Sequence, residues 1–131
     1  MQYIKGIDAF REEKRTAVTL GKFDGLHRGH QKLIEKIRSY AGNDCVSVVC
    51  AFDMQRSCLM TKEERKKLLA GKVDYLIDYP FTGDLMTMEA ERFIQKILYE
   101  KLHAAHIVVG SDFSFGYRKR GDHQMLERYA Q

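Results

Sequence analysis

Short apolar runs with strand character alternate along this chain with helical stretches, and this alternation restricts the fold more than any other feature. The strand-like runs are rich in β-branched residues and lie at Ala17 to Leu20, Val46 to Phe52, Val73 to Tyr79 and Ile107 to Val109. Apolar residues at helical spacing, or a capping box in the middle case, predict helices over 29–41, 61–70 and 88–102. Neighbouring parallel strands need crossover connections. The order therefore predicts an α/β fold of the Rossmann-like, doubly wound type, a parallel sheet with helices on both faces.

Length and composition exclude several classes of protein. At 131 residues the chain has the size of one domain. Its apolar runs, such as Val46 to Phe52, are far too short to span a membrane, and residues 1–15 carry too many charges for a secretory signal. We therefore expect a cytoplasmic protein. Free thiols are expected at the three cysteines, which form an odd set without a C-x-x-C pair: Cys45, Cys50 and Cys58.

The charge of the chain restricts its partners only weakly. A net charge of +4 suits anionic small molecules and nucleic acid alike. A nucleic-acid module is therefore one hypothesis, and it predicts binding to oligonucleotides that weakens steeply as salt is added. Only the charge favours that hypothesis, so small anionic ligands are the preferred partners and nucleic acid ranks last.

Ten residues join the first predicted strand to the first predicted helix, Gly21-Lys22-Phe23-Asp24-Gly25-Leu26-His27-Arg28-Gly29-His30. Ligands of parallel α/β sheets bind beyond the carboxyl ends of the strands, and free N–H groups at a helix N-terminus accept phosphate. His27 and His30 can each donate a hydrogen bond to phosphate oxygens. A chance histidine pair or a helix cap is the plainer alternative, and a zinc site is weaker because no third ligand lies nearby. The position of the segment favours a phosphate-binding turn.

Two segments carry a resemblance to a known family. Gly21 to Gln31 resembles the G-x-F-D-G-x-H-x-G-H signature of bacterial FAD synthetases, the adenylyltransferase domain of bifunctional riboflavin kinase/FMN adenylyltransferase. Its H-x-G-H core is similar to that of the wider nucleotidyltransferase superfamily. Val109 to Gly116, followed by Gly121-Asp122, resembles the V-G-x-D-F-x-F-G stretch of the same family. The likeness covers essentially residues 1–131 and implies one FMN adenylyltransferase-like domain with a Rossmann-like nucleotidyltransferase fold.

The resemblance implies a reaction and a set of site residues. ATP would donate AMP to FMN, giving FAD and pyrophosphate, with Mg²⁺ accompanying the ATP. His27 and His30 match the family's catalytic positions and would hold the triphosphate. The implied ATP-binding residues are Gly21, Phe23, Asp24, Gly25, His27, Gly29 and His30. The implied flavin-binding residues are Asp112, Phe113 and Phe115. No residue of the chain is expected to bind a metal directly.

The sequence departs from the family pattern in three places. Phe52-Asp53-Met54-Gln55-Arg56 stands where the family usually has F-x-P-H-P. The family's later S-S-T-x-x-R segment and its riboflavin kinase domain have no counterpart before Gln131. We therefore expect a domain truncated at its C-terminal end, with a riboflavin kinase domain in the same full-length chain. The altered loop leaves a second hypothesis, a degenerate nucleotide- or flavin-binding domain without turnover.

Overall fold

A computed structural model describes residues 1–21, 28–42, 44–53, 62–80, 85, 87–110, 114–116 and 121–129. In chain order its elements are β1 (Gln2–Lys5), β2 (Arg15–Gly21), α1 (Arg28–Tyr40), β3 (Cys45–Asp53), α2 (Lys62–Leu69), β4 (Tyr75–Pro80), α3 (Ala90–Arg92), a π-helix (Phe93–Lys101) that continues α3, β5 (Ala104–Val108), β6 (Ser114–Phe115), β7 (Gly121–Asp122) and α4 (His123–Tyr129).

Five strands form one parallel sheet in the order β1-β4-β3-β2-β5. From β2 the chain adds β3 and β4 on one side and then crosses to place β5 on the other side, so the strand order reverses at β2. In the register of the sheet, Gly21 lies opposite Ala51, and Thr19 lies opposite Val49 on β3 and Val108 on β5. The sheet confirms the predicted α/β class.

Helices cover both faces of the sheet, as the sequence predicted. On one face α1 and α2 pack through Ile34, Ile37 and Leu69 against side chains of the central strands. On the other face the π-helix and α4 pack against the alternate side chains of the same strands. Among the described residues, no helix is long and apolar enough to cross a membrane.

The structure confirms all four predicted strands and adds elements that the sequence analysis missed. β4 begins at Tyr75 and not at Val73, because the Asp74 carboxylate accepts hydrogen bonds from the backbone N–H and the hydroxyl of Ser47. α2 ends just before Gly71, whose φ of 76° reverses the chain there as predicted. Thr61, the first residue of the predicted capping box, lies outside the described residues.

The helix predicted over 88–102 starts two residues later and has an unexpected geometry. Glu89 has an extended ψ of 148°, so the first helical residue is Ala90. From Phe93 onward the backbone adopts π geometry, and the N–H of Leu102 donates to the carbonyl of Ile97 five residues earlier at 2.9 Å. The apolar face predicted from the spacing is nevertheless buried, at Phe93, Ile94, Ile97 and Leu98.

A polar contact ties the loop between β1 and β2 to the amino end of β4. The hydroxyl of Tyr75 donates to Oε2 of Glu12 at 2.7 Å, and the ring of Tyr75 packs edge-on against Phe10 with centroids 5.1 Å apart. The hydrogen bond from Tyr75 lowers the pKa of Glu12 below its ordinary value of 4.5. The same bond raises the pKa of Tyr75 to about 12, with burial adding to the effect.

We therefore expect this contact to stabilise the fold within a pH window that both pKa shifts define. Because the native pKa of Glu12 is depressed, its contribution is present above the unfolded pKa and disappears as the pH falls through the lowered native pKa. Because the native pKa of Tyr75 is raised, its contribution is complete below pH 10 and disappears as the pH rises toward 12. Tyr75→Phe should lower the free energy of unfolding by about 1 kcal/mol at pH 7.

Urea unfolding of the wild type and the Tyr75→Phe variant at pH 7 and pH 3 measures the effect. The stability difference between the two proteins should be smaller at pH 3 than at pH 7, because the Glu12 carboxylate that accepts the hydrogen bond becomes protonated as the pH falls. A stability difference that is the same at pH 7 and pH 3 would show that the Glu12 carboxylate does not contribute to it.

Candidate functional site

The carboxyl ends of β2 and β5 lie side by side where the strand order reverses. In doubly wound sheets this point opens a crevice in which ligands bind. Gly21 ends β2, and Val109 and Gly110 follow directly after β5. The two family-like segments of the sequence start at these two strand ends. The topology therefore brings them to one edge of the sheet although about 90 residues separate them in the chain.

The first turn of α1 begins at the same edge. α1 starts at Arg28, packs across β2, β3 and β5, and has no acidic residue in its first turn. Its first N–H groups have no partner within the helix, and the helix dipole places partial positive charge on them. With no carboxylate of the helix itself to neutralise this charge, the end of α1 can receive an anion.

The described residues include only part of the site that the sequence predicts. Gly21 is the last residue of β2, and Gly29 and His30 lie in the first turn of α1. Phe115 is the second residue of β6 and pairs with Gly121 of β7. The other predicted site residues lie outside the described part of the chain: Phe23, Asp24, Gly25, His27, Asp112 and Phe113.

A two-stranded hairpin, β6 with β7, carries the end of the second segment. Gly116 follows β6 with a φ of 79°, and a Cβ at this position would lie 2.7 Å from Cα of Ala90 and 2.8 Å from its N and Cβ. No side chain fits there, because the obstacle includes backbone atoms at the start of α3. The glycine that closes the V-G-x-D-F-x-F-G stretch therefore lets the hairpin contact α3 closely, a role that sequence reasoning did not assign.

Two threonines of β2 differ in a way that sequence alone does not reveal. Thr16 and Thr19 are both fully buried. The hydroxyl of Thr16 donates to the carbonyl of Leu102 at 2.8 Å, whereas Oγ1 of Thr19 has no hydrogen-bond partner among the residues that the structure describes. The sequence signal, a polar residue in an apolar strand two residues before Gly21, is visible but weak.

Among the described residues, the cysteines are not suited to act as a nucleophile and the acidic residues do not form a metal-binding site. Cys45 and Cys50 are free and buried. Burial, with a smaller effect of the Asp78 carboxylate, raises the pKa of Cys50 to about 12, so this thiol is protonated at neutral pH. Within the described part of the chain, no three His, Cys, Asp or Glu residues are grouped so that they could hold a metal ion.

A groove bounded by described residues lies along the open side of β5 and has a volume of about 720 Å³. Its apolar wall includes Tyr40, Ile94, Leu98, Tyr99, Val108 and Leu126. Gly21, the last residue of β2, does not line it. We therefore separate this groove from the candidate phosphate site at the end of β2.

Comparisons with known proteins find curated relatives that match nearly the whole chain. A bifunctional riboflavin kinase/FMN adenylyltransferase of Pseudomonas fluorescens is 34% identical over 139 residues, which cover 97% of this chain and 45% of the relative. The enzyme of the same name from Buchnera aphidicola subsp. Schizaphis graminum is 31% identical over 140 residues, with the same two coverages. The chain thus spans about 45% of the length of these curated relatives.

A solved structure has the same architecture. It is described as a macrolide-efflux protein from Streptococcus pneumoniae and matches with a TM-score of 0.82 at 25% identity, covering 98% of this chain and 47% of its own. The model of the family described as FAD synthetase matches residues 9–131, which is nearly the whole chain. This protein therefore belongs to the FAD synthetase family.

Proposed function

We propose that this domain is an FMN adenylyltransferase, which binds ATP where β2 meets α1 and transfers AMP to FMN, giving FAD and pyrophosphate. One observation carries the proposal: the H-x-G-H motif follows the strand at which the sheet order reverses, and its last three residues, Arg28 to His30, begin α1. Family membership and the names of the curated relatives support the same reaction. We assign the reaction to the cytoplasm, and we assign a riboflavin kinase domain to the full-length chain.

The proposed roles of the histidines are electrostatic. His27 and His30 donate hydrogen bonds to phosphate oxygens beside the free N–H groups of α1. Gly21, Phe23, Asp24, Gly25 and Gly29 complete the proposed ATP site. AMP transfer joins two anions, so the protein must align the FMN phosphate with the α-phosphorus and neutralise the charge that develops there. Alignment alone can lower such a barrier by about 7–11 kcal/mol.

The FMN phosphate is itself the nucleophile in this proposal, so the protein does not have to supply one. An oxygen of that phosphate forms a bond to the α-phosphorus of ATP, and the bond to pyrophosphate breaks. The buried, protonated thiol of Cys50 fits a site without covalent catalysis by cysteine. Electrostatic stabilisation and positioning are then the contributions left to the side chains.

Mg²⁺ fits this site as a companion of ATP. Magnesium in nucleotide sites is usually bound by substrate phosphates and water, with few protein ligands. The described residues include no group of acidic or histidine side chains that would bind it independently. When bound with ATP, the ion would supply charge that shields the phosphates, and the residues at the start of α1 would orient the triphosphate.

The flavin side is assigned to the segment after β5. Asp112, Phe113 and Phe115 are the proposed flavin-binding residues, and Phe115 belongs to the hairpin that Gly116 holds against α3. Because β5 adjoins β2, a flavin at this segment would lie beside a triphosphate at the end of β2. The two substrates would then meet over the reversal point of the sheet.

A second candidate function is binding without turnover. It is favoured by the replacement of the family's F-x-P-H-P by Phe52-Asp53-Met54-Gln55-Arg56 at the carboxyl end of β3. β3 pairs directly with β2, so this loop starts beside the proposed ATP site. A domain of this kind would bind a nucleotide or a flavin and form no product.

Incubation of the purified chain with ATP, FMN and Mg²⁺ separates the two functions. We expect FAD and pyrophosphate to appear in equal amounts. Chromatography measures FAD, a coupled assay measures pyrophosphate, and titration calorimetry measures ATP binding. Binding without either product would establish the non-catalytic alternative. A chain that binds neither ATP nor FMN would refute both.

His30→Ala should reduce kcat/KM for FAD formation by about 100-fold, because it removes one hydrogen-bond donor from the charge that develops at phosphate. His123→Ala is the matched control, since His123 also lies in the first turn of a helix, α4, but outside the proposed site. The kcat/KM of the His123→Ala variant should stay within about twofold of the wild-type value. Equal losses in the two variants would mean that the triphosphate does not bind at α1.

Gly116→Ala should raise the KM for FMN more than that for ATP, because the added Cβ pushes the hairpin away from α3. Gly71→Ala is the control: Gly71 has a similar φ of 76°, and a Cβ added there would meet no atom of the described residues within 4 Å. Both variants bear the backbone cost of a positive φ, about 1 kcal/mol. Only Gly116→Ala should raise the KM for FMN.

A second change tests the contact itself. Adding Ala90→Gly to Gly116→Ala should not restore the KM for FMN, because Cα and N of residue 90 also block the new Cβ. Restoration by the double variant, or an equal effect of Gly71→Ala on FMN, would contradict this assignment of the hairpin.

A further inference from the structure

The strand at one edge of the sheet, β5, is open on the side away from β2. Among the described residues it pairs with β2 alone. Its sequence, Ala-Ala-His-Ile-Val, contains no charged residue and no proline, the features that usually keep the edge of a sheet from pairing with another strand. β1, at the opposite edge, has four residues and ends at an exposed lysine, Lys5. The open side of β5 is therefore suited to accept a further strand.

Both apolar layers of the domain extend to β5 and are incomplete there. Ile107 and Val109 are only partly buried against the layer under the π-helix, and Val108 is only partly buried against the layer under α1. The groove of about 720 Å³ follows this edge, and it is lined by Tyr99, whose side chain is 72% exposed. Because side chains of a strand alternate between the two faces, one added strand would extend both layers.

The positions of the helices show in which direction the sheet grows. α1 and α2 cover one face, and the connections that contain them, from β2 to β3 and from β3 to β4, run toward β1. The π-helix covers the other face, and its connection from β4 to β5 runs in the opposite direction. This is the pattern of right-handed crossovers, which parallel strands follow almost without exception.

α4 applies the same rule to the chain beyond β5. It follows β5 and packs on the face of the π-helix, through Met125 and Leu126. A right-handed connection through a helix on this face continues in the direction from β4 to β5. The next parallel strand would therefore lie on the open side of β5. Leu126 and Glu127 also line the groove, so the chain after α4 starts beside it.

We infer that the open side of β5 binds an extended segment that follows α4 in the full-length chain, added to the sheet as a parallel sixth strand. The inference rests on the longer chain assigned under the proposed function, and the matched relatives support it, since this chain spans about 45% of their length. Backbone hydrogen bonds to β5 provide the pairing, and apolar side chains of the segment fill the groove.

Hydrogen exchange followed by mass spectrometry, on the 131-residue chain and on the full-length protein, tests this pairing. The amides of β5 that face the open side should exchange roughly 100-fold more slowly in the full-length protein, because a paired strand protects them. β1 is the internal control, since it forms the other edge of the sheet and its exchange should be the same in both proteins.

A substitution in the groove tests the same contact by stability. Tyr99→Glu changes a largely exposed residue, so the Tm of the 131-residue chain should stay within about 2 °C. In the full-length protein the segment would cover the new carboxylate, and Tm should fall by roughly 4 °C. Leu68→Glu is the matched control: Leu68 is also exposed, lies on α2 and does not line the groove, so neither Tm should change by more than about 2 °C.

Equal exchange of β5 in the two proteins would overturn the inference, as would an equal loss of Tm in the two Tyr99→Glu proteins or a gene that ends at Gln131. If β5 instead pairs with a second copy, sedimentation of the 131-residue chain would show a dimer, and β5 would be protected in both proteins. A full-length protein that forms FAD with β5 unprotected would overturn the added strand alone. Protection of β5 without FAD formation would support the added strand and refute the proposed reaction.

Discussion

Parallel pairing of β2 with strands on both of its sides is the constraint on which the rest of the structure depends. β3 and β5 both hydrogen-bond to β2, so this strand is central in the sheet and its residues from Thr16 to Leu20 are buried. Because the chain leaves β2 toward one side and returns on the other, the strand order reverses at β2, and ligands of doubly wound sheets bind at such a point. The position of the candidate site is therefore a consequence of strand order, before any catalytic side chain is considered.

Two apolar layers, one on each face of the sheet, hold the edge with the candidate site in place. α1 and α2 cover one face, and the π-helix and α4 cover the other. Polar contacts fix the ends of helices and strands within these layers. One example is the hydroxyl of Thr16, which donates to the carbonyl of Leu102 directly after the π-helix. The proposed AMP transfer would depend mainly on alignment of two anions, so it would need supports whose positions are fixed by packing on both faces of the sheet. The central strand β2 and the helix α1, which packs across three strands, provide these supports.

Sequence reasoning found the elements that leave a strong local pattern. Four strands were predictable because each contains an apolar run, buried in β2, β3 and β4 and partly buried in β5. α1 was predictable because its apolar face repeats at helical spacing. β1 has one buried residue, Ile4, and no pattern can develop over four positions. The hairpin of β6 and β7 depends on contact with α3, which is distant in sequence. The π geometry after Phe93 was not predictable either, because a change of hydrogen-bond register leaves the apolar spacing almost intact.

The same distinction applies to the site. Histidines and glycines between a strand and a helix indicate a phosphate turn, because their chemistry is local. The role of Gly116 is not local, because it depends on backbone atoms of Ala90, which is distant in the chain. No pattern along the sequence reveals this contact, because the two residues come together only in the fold.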